Sequence, residues 1–201
     1  MNENVLSLVL FAVAMTVSPG SNNVLLASSG VQVGMRRSVT LGLGIVVGIV
    51  VLLSVAALGL GTLVHEHPSL RTAMQAIGSA YLVWLGWKIA QAGAPDLSHA
   101  GRGSRKGFLA GFINTMLNPK GWTMALSAAA GYTALAPSAP RLALVLSLVF
   151  IAVFVPNWVL WTGGGQAIGR SVQGDDHRRW VVVNRILGLL VVVSIVPMWL
   201  E

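Results

Sequence analysis

The chain contains no cysteine, which excludes disulfide bonds and thiolate chemistry at the outset. Charge is almost as scarce: 9% of the 201 residues are Asp, Glu, Lys or Arg, where a soluble domain carries about 25%. Acidic groups are the rarest of all, six in total, and none falls within a long apolar run. What fills the space is hydrophobic, 55% of the residues. That is more apolar surface than one globule of this size can bury, so much of it must face lipid. A net charge of +7 would point to nucleic acid in a soluble protein. Here the positive residues sit in short gaps between apolar runs, which is the pattern of membrane topology and not of a nucleic-acid patch.

A membrane span needs about 20 mostly apolar residues. Val39 to Val64 meets this with no charged residue, and Leu70 to Ala92 and Trp180 to Leu200 follow with minor interruptions. Leu142 to Ile168 is long enough, although Pro156 and Gly163 to Gly165 fall inside it. Val5 to Ser29 and Phe108 to Ala136 reach spanning length only if the polar breaks "SPGSNN" and "LNPKGW" are included. The expectation is an all-α integral membrane protein of six transmembrane helices, the first and fourth broken at proline. A β-barrel is excluded because the runs are continuous and do not alternate in polarity. "AVA" at Ala12 to Ala14 mimics a signal-peptide cleavage site, but "MNEN" before it has no positive side chain, so the segment is read as the start of the first helix.

Ten Lys and Arg residues flank one set of helix ends (Arg36, Arg37, Lys88, Arg102, Arg105, Lys106, Arg170, Arg178, Arg179, Arg185), and only Arg71 and Arg141 flank the other. Positive residues mark the cytoplasmic side, so both termini are expected outside, periplasmic in a bacterial inner membrane. The Gly/Ser-rich linker around 93–107 divides the chain into units 1–92 and 108–201 of three spans each. Three is odd, so the second unit must enter the membrane upside down. Each unit opens with its broken helix, followed by a small-residue helix ending at Gly30 or Gly131. Interrupted helices in corresponding positions of two inverted halves point to a transporter binding site.

A proline in a span removes an N–H and frees backbone groups that lipid cannot satisfy. The half-helix after the break offers open N–H groups and a dipole suited to an anion. The carbonyls before it suit a cation, so together they suit an amino-acid zwitterion. Pro119 lies eleven residues from Phe108, or about 16 Å, and Pro19 lies fourteen from Val5, or about 21 Å. The two helices run in opposite directions, so both breaks fall at the midplane or on its cytoplasmic side. Lys120 is the one ionisable side chain deep in an expected span, a placement that costs about 2.5–3.5 kcal/mol unless it faces a cavity or partner. The candidate substrate-binding residues are Pro19, Gly20, Asn22, Asn23, Asn118, Pro119, Lys120 and Asn157. The bland readings beside these are ordinary proline kinks and a lysine that snorkels to the headgroups.

At these residues the chain resembles the lysine exporter/homoserine-resistance (LysE/RhtB-type) family of bacterial amino-acid exporters. Pro19, Gly20 and Asn22, followed by Gly30, Gly34, Gly44 and Gly48, match its first-helix pattern. "GSAYLVWLGWK" (Gly78 to Lys88) is similar to its third-helix signature, and "NPKGW" (Asn118 to Trp122) to its fourth. The resemblance implies efflux of amino acids or close derivatives across the inner membrane, driven by proton exchange, with a branch similar to exporters of cysteine and O-acetylserine. Ser21 stands where the family motif has a second proline, which implies a looser break. Asn157 in "FVPNW" stands about where some relatives carry an aspartate, and no proton carrier is visible in the spans. The implied partners are a small amino-acid substrate, the lipid bilayer and, as an option, a second copy in a homodimer. No cofactor is implied.

Other features carry less. "HEH" (His65 to His67) could ligate a metal but reads more simply as a solvated loop. Gly44 and Gly48 are a small-xxx-small pair suited to close helix packing. "DDHRRW" (Asp175 to Trp180) reads as an interfacial anchor. "GGGQAIG" (Gly163 to Gly169) lacks the strand-to-helix context of a phosphate loop. An intramembrane enzyme would need a nucleophile–base pair or paired carboxylates, and no His, Asp, Glu or Cys lies in the spans. A channel, or a transporter of another small solute or a metal ion, is the remaining alternative to amino-acid export.

Overall fold

The computed structural model describes residues 2–60, 68–92, 104–172, 177–196 and 199. Among these, every regular element is helical. Helix α1 (Asn2–Val17) carries Glu3 in its first turn, where a carboxylate complements the helix dipole. It ends at Ser18, Pro19 and Gly20, and α2 (Ser21–Arg37) restarts the path bent by 55°. Near its far end α2 turns at Gly34, whose φ of 75° only glycine adopts without strain. The amide of Met35 that this turn frees is taken by Gln166 Oε1 at 2.7 Å.

Helix α3 (Val39–Val55) runs into a π-helical turn over Ala56–Leu60. The expected span continued to Val64, and its last residues, with His65 to His67, lie outside the described residues. Helix α4 is Pro68–Ala90. The second half opens with α5 (Ser104–Met116) and α6 (Pro119–Gly131), which a 3-10 turn over Thr133–Leu135 closes. The first four residues of α5, 104–107, lie inside the stretch read as linker. Helix α7 (Ala139–Ser171) runs unbroken through Pro156 and all three adjacent glycines. Its 33 residues make about 50 Å, longer than the ~30 Å hydrocarbon core. Helix α8 (His177–Val193) is last. By length and composition, α3 with its π turn and α7 can each cross a membrane, and α1–α2 makes a third crossing if the bent pair is one span.

Helix packing is set by glycine. Helix α2 lies on α7, where a Cβ built at Gly30 would stand 3.0 Å from Gln166 N, and one at Gly165 would stand 2.8 Å from the Ala27 carbonyl carbon. Helix α3 lies on α5, with Gly44 against Phe108 and Gly111 against Leu41 and Ile45. Helix α4 lies on α8, where Gly86 and Gly188 face each other backbone to backbone. Such approaches let helices associate by van der Waals packing where lipid supplies no hydrophobic drive. Leu8, Ile45, Leu52, Leu146 and Phe150 fill the centre between α1, α3 and α7. Arg36, Arg37, Lys88, Lys106, Arg170 and Arg178 are all exposed. They sit on helix ends that these contacts gather at one end of the bundle, where Gln32 Nε2 also donates to Asn184 Oδ1 at 3.0 Å, joining α2 to α8.

Candidate functional site

The two breaks meet. Lys120, in the first turn of α6, reaches back across the molecule, and its Nζ donates to Ser18 Oγ at 2.6 Å and to the Ser18 carbonyl at 3.2 Å. Gly20 makes this approach open, because a Cβ there would stand 3.3 Å from Lys120 Nζ. A cation expected on the freed carbonyls is therefore present, and it belongs to the protein. The same is true of the other donor at this break. Asn23, 4% exposed, gives its Nδ2 to the Thr16 carbonyl at 2.6 Å and to the Ser18 carbonyl at 3.1 Å. Proline broke the helix ladder, and side chains from α2 and α6 complete it.

The second break is repaired locally. Asn118 is the N-cap of α6, its Oδ1 accepting from Lys120 N at 3.2 Å, a role asparagine fills well. Pro119 follows at the first helical position, where a missing N–H costs nothing. Trp122 Nε1 donates to the Met116 carbonyl at 2.8 Å, satisfying a carbonyl left open before the break. The Pro119 ring is pressed against α4, with Cγ 2.9 Å from where a Cβ on Gly78 would be. The glycine of the third-helix motif thus makes room for the proline of the fourth.

Between the breaks, Asn22 Oδ1 accepts from Asn114 Nδ2 at 2.6 Å and from Thr115 Oγ1 at 3.2 Å. Asn114 also donates to Ser21 Oγ at 3.3 Å. Ser21, where a second proline was expected to be missed, thus begins α2 and anchors it to α5. Asn157 Nδ2, on α7, donates to Asn23 Oδ1 at 2.9 Å. The Oδ1 atoms of Asn114 and Asn157 are buried and accept from no donor among the described residues, so each offers an acceptor to a water or an ammonium.

Gly20, Asn22, Asn23, Asn118 and Lys120 line a single cavity together with Thr16, Ser18 and Thr115. It leaves ≈40 Å³ for the centres of water-sized molecules, which holds on the order of three waters and no amino acid. Pro19 is exposed and Pro119 is buried, and neither lines the cavity; Asn157 stands behind it through Asn23. Lys120 is the titratable side chain in the lining. The N-terminus of α2 has no side-chain cap, so its first amides are open toward the same space, unlike those of α6. Sequence reasoning missed Asn114 and Thr115. The signal was there: Asn114 is four residues before Asn118, and a buried amide in an apolar helix must find a partner. Among the described residues no cluster of His, Asp or Glu could hold a metal.

The profile of the LysE type translocator family matches residues 13–195. A cysteine/O-acetylserine efflux protein of Salmonella choleraesuis is 26% identical over 176 residues, 88% of this chain and 87% of that one. A homoserine/homoserine lactone efflux protein of Salmonella typhimurium is 29% identical over 190 residues, 90% and 88% of the two chains. An uncharacterized membrane protein of Vibrio cholerae is 36% identical over 81 residues, which is 40% of each chain. No solved structure matches the chain significantly.

Proposed function

The chain belongs to the LysE type translocator family, and from that premise we propose that it exports neutral amino acids or close derivatives across the inner membrane by alternating access, driven by proton exchange. The observation that carries the reading is the meeting of two helix breaks at one polar cavity. A substrate carboxylate takes the uncapped amides of α2 beside the Lys120 ammonium, where dipole and charge have the same sign. The substrate ammonium takes the carbonyls before the break, those of Thr16 and Ser18, once Lys120 has turned from Ser18 to the carboxylate. Neither group of the zwitterion then needs water, which is what a site at mid-membrane depth must supply. The cavity as it stands admits only water, so loading requires Lys120 to leave Ser18 or α6 to move from α1.

Six spans in two inverted units, 1–92 and 108–201 joined by a cytoplasmic linker, are part of the same reading. Its support is the exchange of partners: the broken helix of each half packs on the second helix of the other (α1 and α2 on α7, α5 and α6 on α3), and the third helices α4 and α8 pack on each other. A pseudo-two-fold axis in the membrane plane requires that pattern. The basic end of the bundle is then cytoplasmic and both termini are periplasmic. The relatives named for cysteine, O-acetylserine and homoserine efflux set the substrate class to test. Purified protein in liposomes preloaded with labelled cysteine, O-acetylserine, homoserine, threonine or lysine should release at least one of them with saturable, exchange-stimulated kinetics that collapse when the proton gradient is removed. Release linear in concentration would make it a channel, and no accelerated release of any would overturn export.

A further inference from the structure

The two ends of the bundle are packed differently. At the basic end, α2 with α7 and α3 with α5 touch backbone to backbone through Gly30, Gly165, Gly44 and Gly111. At the other end, α1 and α6 leave a seam between them, and a Cβ built at Gly131 on α6 meets no atom within 4 Å among the described residues. Two helix faces line this seam. On α1, Ser7, Phe11 and Met15 recur at helical spacing, with Ser18 just past its end; on α6, Lys120, Met124, Ser127 and Gly131 do the same. The inner members border the central cavity. The outer members, with Asn4 and Tyr132, border a second cavity of ≈430 Å³. Ser127 is two turns from Lys120, about 10 Å along the axis.

We infer that the α1–α6 seam is the outer passage from the central site, a water-filled vestibule stopped by a plug of Phe11, Met15 and Met124; this rests on the export reading above. The lining changes character along the seam as a passage requires. Its mouth is polar, with Asn4, Ser127 and a hydrogen bond between Ser7 Oγ and Tyr132 OH at 3.1 Å. Its floor is apolar. Phe11 packs tilted on Tyr132 with ring centroids 5.9 Å apart and edge-on to Phe150 at 6.3 Å. Met15 and Met124 close the gap below it. Unbranched methionines change rotamer at little cost and re-pack around what passes. Among the described residues the basic half shows no comparable gap, because separating α2 from α7 there parts backbones already in contact. Among the described residues, this conformation is closed by backbone contact toward the basic end and plugged by side chains alone toward the other. The vestibule is roomy enough for a small amino acid, and the plug admits it when Phe11 turns aside.

The absence of native cysteine makes the test direct. Single cysteines at Ser127, Met15 and Leu144 would be probed in intact cells with a charged, membrane-impermeant thiosulfonate. Leu144, on α7, is 60% exposed and faces lipid, where a thiol does not ionise and so does not react. Ser127→Cys should label at least tenfold faster than either Leu144→Cys or Met15→Cys, and labelling should abolish the export that the variant retains. Substituting Phe11 by Ala should bring Met15→Cys to within about threefold of the Ser127→Cys rate. A Ser127→Cys that labels no faster than Leu144→Cys would mean the seam is filled by lipid and overturn the inference. So would rapid labelling that leaves export unchanged. If the unmodified protein exports nothing from the panel, the export reading fails. The same labelling pattern would then still support a water-filled cleft stopped at the plug.

Discussion

Gly164 and Gly165 are neighbours on α7, and the structure assigns them opposite fates when each is replaced by alanine. A Cβ at Gly165 would stand 2.8 Å from the Ala27 carbonyl carbon and 2.9 Å from its Cα, where carbon atoms prefer about 3.5–4.0 Å. The Ala27 carbonyl oxygen stands closer still, so helices α2 and α7 would have to part by about 1 Å or more. They cannot do so by tilting about that point, because Gly30 holds the same interface one turn away, where a Cβ would stand 3.0 Å from Gln166 N. Overpacking of this kind costs about 1–3 kcal/mol, and the gain from replacing a helical glycine returns only about 0.5–1 kcal/mol. A Cβ at Gly164 meets nothing within 4 Å, so that variant keeps the gain alone. Reversible unfolding in mixed micelles should therefore rank Gly164→Ala at or above the unmodified protein and Gly165→Ala about 1–2 kcal/mol below it. Equal stability of the two variants, within about 0.5 kcal/mol, would refute the packing argument and with it the claim that, among the described residues, the basic half is closed by backbone contact.

Three further outcomes follow from the same contacts. Asn23→Ala strips the Thr16 carbonyl and Asn157 Nδ2 of a partner and should cost about 2 kcal/mol. In a double-mutant cycle with Asn157→Ala the coupling should be about 0.6–1.7 kcal/mol, the range for hydrogen bonds between membrane helices, and strict additivity would count against the bond. Asn118→Ala removes the α6 cap and should cost about 1 kcal/mol in the same unfolding assay, while Asn118→Ser retains most of it. Cysteines introduced at Asn2 and at Glu201 should both label from the periplasmic side, and labelling of either only after the cells are opened would invert the topology.

The breaks were legible in the sequence because Pro, Gly and Asn in a long apolar run free backbone groups that lipid cannot satisfy. Their meeting was legible too, since the two broken helices were expected to enter from opposite sides and to break at similar depths. The occupant of the freed carbonyls was not. Lys120 and Asn23 take them, and nothing local in the sequence ranks a side chain 102 residues away above a substrate ammonium. Pro156 and the three glycines after it looked like interruptions, yet α7 continues through them. Helix α2 packs against that stretch and rewards the small residues, and Pro156, being exposed, displaces no neighbour. The start of α5 at Ser104 was hidden by glycine and charge in a segment that composition alone reads as linker. Asn114 and Thr115 escaped notice because they lie before the motif, although their helical spacing to Asn118 puts them on the side that faces Asn22.

The central claim is that the two breaks form one site with Lys120 as its charge, and exchange flux in liposomes tests it with two variants. Lys120→Met removes a charge that is costly in lipid, so the protein should insert and unfold normally, while exchange of the transported amino acid falls at least tenfold. Asn22→Ala removes the acceptor shared by Asn114 and Thr115 and should raise the half-saturating concentration at least tenfold. If both variants insert normally and exchange substrate at the unmodified rate and affinity, the breaks are structural kinks and the site lies elsewhere in the bundle.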